Sequence, residues 1–81
     1  MDQLWLEIME HAKIADTRFG DFTSTHEALG VMLEEWNELQ AAIHANKIES
    51  IRDEAIDLAA VCYRLAVQCR SSKELQARSI K

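Results

Sequence analysis

Ser24-Thr25-His26-Glu27-Ala28-Leu29-Gly30-Val31-Met32-Leu33-Glu34-Glu35-Trp36-Asn37-Glu38-Leu39-Gln40-Ala41-Ala42-Ile43 is the stretch on which the fold turns. Its opening is a capping box, in which Ser24 and Glu27 satisfy backbone N–H groups that a helix start leaves without partners. Ala28, Met32, Trp36, Leu39, Ala42 and Ile43 then recur at helical spacing and form one apolar stripe. A helix over about 25–45 is predicted. Working outward, Leu4, Ile8, Ala12, Ala15 and Phe19, with Trp5 beside them, predict a first helix over about 2–19 that stops at Gly20. Downstream, Ile51, Leu58, Cys62, Leu65 and Cys69 predict a third over about 48–70. Ser71-Ser72-Lys73-Glu74 repeats the capping pattern before a short helix over about 73–80. The chain has no proline and two glycines, so little interrupts helix anywhere. The expectation is one all-α domain over 1–81, an antiparallel helical bundle.

Charge sharpens the reading. Nine Lys and Arg against fourteen Asp and Glu give a net −5, which disfavours a nucleic-acid polymer as partner. Five of those acids, Glu34, Glu35, Glu38, Glu54 and Asp57, equal the whole excess. No apolar run reaches the roughly 18 residues that a membrane span needs, and Met1–Leu6 carries an acid where a signal peptide is basic. A cytoplasmic protein without membrane contact is expected. Cys62 and Cys69, about 10 Å apart on one helix, are too distant to bridge and read as reduced core residues.

Helical phase separates the acids. At about 100° per residue, Glu35 lies about 60° from the centre of the second helix's stripe, Glu38 sits at its edge, and Glu34 points away. Glu54 falls about 40° from the centre of the third helix's stripe, with Asp57 on the flank beside it. Each helix thus carries an i, i+3 acidic pair at the border of its packing surface. A short connection makes the two helices antiparallel neighbours, so the pairs can meet. Carboxylates converging in a partly dry cleft repel one another, and a divalent cation relieves this; an all-oxygen set suits Mg²⁺ or Mn²⁺. The third helix also has a second apolar strip, Ile56, Ala60, Tyr63 and Val67, and the demand for burial on two sides predicts self-association.

The segment Glu34-Glu35-Trp36-Asn37-Glu38, then fifteen residues, then Glu54-Ala55-Ile56-Asp57, resembles the EExxE…ExxD signature of the MazG-like all-α nucleoside triphosphate pyrophosphohydrolases. The resemblance extends from about Thr23 to Gln68. It implies hydrolysis of NTP or dNTP, aberrant nucleotides included, between the α and β phosphates, to monophosphate and pyrophosphate. It implies Mg²⁺, with Mn²⁺ as a substitute, held by Glu35, Glu38, Glu54 and Asp57. Glu34, Glu35 and Glu38 become catalytic candidates, Glu34 in a role behind the ligands or in positioning the attacking water. It also implies a dimer or tetramer.

A triphosphate further needs cations. Arg64 shares the flank of Asp57 and is set either to reach a phosphate or to pair with an acid. Lys47 and Arg52 lie near the second connection, and His26 opens the second helix beside Phe22, where it is either a helix-start residue or a substrate contact. Lys13 and Arg18 read as solvated charges, and Trp5 and Trp36 as core. Two rivals stay open: an enzyme acting on phosphoribosyl-ATP, and a catalytically silent helical oligomerisation module. A ferritin-like di-iron bundle is excluded, because no His has a Glu three residues before it.

Overall fold

The computed structural model describes residues 2–71. Three helices, α1 (Gln3–Phe19), α2 (Thr25–His44) and α3 (Ile48–Ser71), account for nearly all of them, and none of the described residues forms a strand. The short helix expected over about 73–80 lies outside the described residues. No described helix is long and apolar enough to cross a membrane.

Local chemistry sets the boundaries of α1 and α2. Asp2 caps α1, its side chain accepting from the Leu4 N–H at 2.8 Å. Gly20 ends α1 at φ 73°, a backbone region that costs a residue without Cβ little. Ser24 Oγ accepts from Glu27 N–H at 3.1 Å, while Glu27 Oε1 accepts from the N–H of Thr23, one residue earlier than the standard box. At the far end Asn46 takes φ 56°. Its N–H bonds Ile43 O at 3.0 Å and Lys47 N–H bonds Ala42 O at 3.3 Å, the paired bonds of a Schellman stop.

The third helix is central. It packs on both α1 and α2, which make no packing contact with each other. The links Glu7–Arg52, His11–Asp57, Asp16–Arg64 and Phe22–Gln68 advance in step along both segments, so α1 and α3 run parallel and α2 runs against them. Phe22 drops from the first loop into a core with Ala28 and Val61, flanked by Val31, Met32 and Leu65.

Three expectations change. Trp36 and Ile43 are 45% and 46% exposed, and α2 meets α3 through Ala28, Val31, Met32, Leu39 and Ala42. Small alanines let α2 approach closely on that face, and Glu35 shares it rather than standing at its border. Cys62 is exposed, while Cys69 is half-buried. The second strip of α3 is covered inside the chain by α1, where Trp5 meets Tyr63 edge-on at 5.4 Å, so that strip does not itself call for a second subunit. Trp5 keeps 40% of its surface exposed.

Candidate metal centre

The i, i+3 spacing on antiparallel helices aims Glu35 and Glu38 of α2 at Glu54 of α3, and one carboxylate oxygen from each lies within 4.8 Å of the other two. Glu35 Oε2 and Glu54 Oε2 are buried and meet no hydrogen-bond donor. Acceptors stripped of water with no donor are costly to keep ionised. Accordingly, burial first, and then the charges of Glu38 and Asp57, raise the Glu35 pKa above the ordinary carboxyl value. The Glu54 pKa is pushed up to about 7, chiefly by hydrogen bonding to the Glu38 carboxyl, then by burial and by the charges of Glu38, Asp57 and Glu35.

Asp57, the fourth expected ligand, is turned to a partner the sequence reading passed over. His11 Nδ1 lies 2.7 Å from Asp57 Oδ1. An ionised Asp57 can only accept, so the proton of this bond resides on Nδ1. Both side chains stay partly exposed, at 43% and 37%. The signal for His11 was available only as phase: it stands one residue from Ala12, the buried point of α1, on the α3-facing side.

A cavity of about 660 Å³ opens beside this cluster. Glu34, Glu35, Asp57 and His11 form one end, and Arg18, Phe19 and Asp21 lie on its wall. Glu34 is thus on the cavity, not directed away from the site. Arg64 also lines it, yet is only 7% exposed: its Nε donates to Asp16 Oδ1 and its Nη2 to Gly20 O, both at 2.8 Å, and its guanidinium lies 4.5 Å from the Phe22 ring centre. Of its two expected placements it occupies the one paired with an acid, buried instead of at the surface. Gln68 completes this clamp on the loop, accepting from Phe22 N–H at 2.9 Å and donating to Phe22 O at 2.6 Å. Lys47 and His26 are exposed and stand outside the cavity wall. Arg52 is engaged by Glu7 and Asp53, and its charge and hydrogen bond lower the Glu7 pKa.

Compared with known proteins, the chain matches no family model, no curated protein and no solved structure.

Proposed function

We propose that the protein is a Mg²⁺-dependent nucleotide pyrophosphohydrolase, cleaving NTP or dNTP between the α and β phosphates. The observation that carries this reading is the convergence of Glu35, Glu38 and Glu54, with two buried, donorless carboxylate oxygens, beside a cavity of nucleotide size that Glu35 also lines. Those residues fit a hard divalent cation, since every donor is a carboxylate oxygen. Glu35, Glu38 and Glu54 would hold Mg²⁺, with Asp57 beside them and oriented by His11. When bound, the ion supplies charge neutralisation for the phosphate oxygens and eases deprotonation of the attacking water.

The remaining roles belong to the chain. Glu34 is on the cavity and outside the converging trio, so its carboxylate is free to orient a water and accept its proton. The water oxygen then forms a new bond to phosphorus while the α–β bridging bond breaks, and the bridging oxygen leaves with the electron pair. Glu35 and Asp57 form the boundary between cavity and cluster. Arg64 and Gln68 keep the loop 20–24 fixed on α3, which sets the opposite wall.

A second copy of the chain belongs to this reading. Leu29, Leu33, Trp36 and Ile43 lie along one exposed side of α2, each between 45% and 51% exposed. With α1 and α2 apart, an apolar row of this length suits helix-to-helix association.

The test is product analysis by anion exchange after incubation with Mg²⁺ and each common NTP and dNTP, with EDTA and Glu54→Gln as controls. Monophosphate and pyrophosphate, absent from both controls, are the expected products. Diphosphate with orthophosphate would sink the bond assignment, and no turnover of any nucleotide would sink the reading.

A further inference from the structure

Resting on that reading, we infer that Arg18 is the residue that contacts the terminal phosphate and so selects triphosphates over diphosphates. The cavity wall carries two permanent cations, Arg18 and Arg64. Arg64 is committed: it is buried, paired with Asp16 and bonded to Gly20 O. Arg18 has no acidic partner among the described residues. Neither Asp21 nor Glu27, which share the wall, pairs with it, and Glu27 is occupied by the Thr23 N–H. Its guanidinium lies 5.7 Å from the centre of the Phe19 ring.

Position supports the assignment. Arg18 follows His11 by seven residues, two helical turns, so both stand on one face of α1 about 10 Å apart along its axis. His11 is tied to Asp57 beside the carboxylates, and Arg18 lines the same cavity two turns further along α1. A polyphosphate whose scissile bond lies at the carboxylates extends its highest remaining charge away from them. A guanidinium offers a planar fork of N–H donors that matches phosphate oxygens, and it stays charged at every working pH. The acids around the cavity repel a polyphosphate, which makes an uncommitted cation on its wall the group that offsets them.

The experiment measures KM and kcat for one NTP, and the inhibition constant of the matching NDP, with wild type, Arg18→Gln, Arg18→Lys and Lys13→Gln. Lys13 is exposed and lies off this cavity wall. Arg18→Gln should raise KM for the triphosphate about ten- to a hundredfold, the range for hydrogen bonds to a charged group. It should leave kcat, the magnesium dependence and the NDP inhibition constant within about twofold of wild type. Arg18→Lys should recover part of the loss, and Lys13→Gln should match wild type. Equal weakening of NTP and NDP, an altered base ranking with unchanged KM ratios, or no change at all would overturn the assignment. Each of these outcomes leaves the hydrolase reading standing. A wild-type chain that neither turns over nor binds any nucleotide removes both. Circular dichroism of the variants separates loss of contact from loss of fold, and the exposed position of Arg18 predicts unchanged helicity.

Discussion

His11 Nδ1 and Asp57 Oδ1 lie 2.7 Å apart, joining α1 to the flank of α3 that borders the acidic cluster. This bond fixes the direction of a carboxylate whose charge is felt by both Glu35 and Glu54. On the proposed function, His11→Ala should therefore lower Mg²⁺ affinity or kcat/KM by about 10- to 100-fold, the range for losing a group that orients a carboxylate beside a metal site. The fold should lose less than about 1 kcal/mol, because both side chains of the pair are partly exposed to solvent. His11→Asn, which keeps an N–H near the Nδ1 position, should recover activity in part. Steady-state kinetics and thermal melts read the two effects separately.

The pKa shifts give a pH dependence whose sign is definite for the metal-free protein. Glu54 has an ordinary value of 4.5 and a folded value of about 7, and Glu35 is raised in the same direction. Below about pH 4.5 both folded and unfolded chains hold these protons. Between about 4.5 and 7 the folded state holds more, so stability must fall as pH rises, and it levels off above 7. Urea melts across that window should show the decline. Glu54→Gln should flatten it and be the more stable protein at pH 8, whereas a decline of equal slope in the variant would contradict the cluster as its source. Magnesium added near pH 6.5 should release protons, measurable by pH-stat.

The loop 20–24 depends on α3. Gln68→Ala removes two hydrogen bonds to the Phe22 backbone and should cost about 1–3 kcal/mol. Arg64→Met strips Gly20 O of its donor and loses the stacking over Phe22, with a cost of about 2–3 kcal/mol. Denaturant melts check both. Equal stability of Arg64→Met and wild type would mean that the guanidinium does not anchor this loop.

Leu33→Lys puts a charge into the exposed row of α2, away from the face that carries Glu35. Sedimentation velocity over a concentration series should show wild type self-associating and the variant shifted at least about tenfold toward monomer, a change of about 1.4 kcal/mol. Unchanged sedimentation of both as monomers would remove the apolar row as an interface.

Helix content, the stop at Gly20, the capped start at Ser24 and the carboxylate spacing were legible in the sequence, because capping chemistry, a left-handed stop and i, i+3 phase are local properties. Glu35, Glu38 and Glu54 come together as the spacing predicts. The rotation of α2 was not legible. Its two apolar rows, one with Ala28 and Ala42 and one with Leu29, Leu33 and Trp36, merge in a periodicity count. Only contact with α3 decides which is buried, and close approach favours the alanines. The same holds for Phe22, one aromatic among loop residues, and for Gln68 and Arg64, polar residues whose burial follows from what the loop brings to them.

The sequence by itself determined that the described residues are helical, where α1 stops and α2 starts, and that two helices each carry an i, i+3 acidic pair. Tertiary structure alone decided that Asp57 bonds His11, that Arg64 is committed to Asp16 while Arg18 is not, and that α1 covers the second strip of α3. The division is physical: caps and phase are set within one or two turns of chain, whereas partners 46 to 48 residues apart are chosen by how the helices dock.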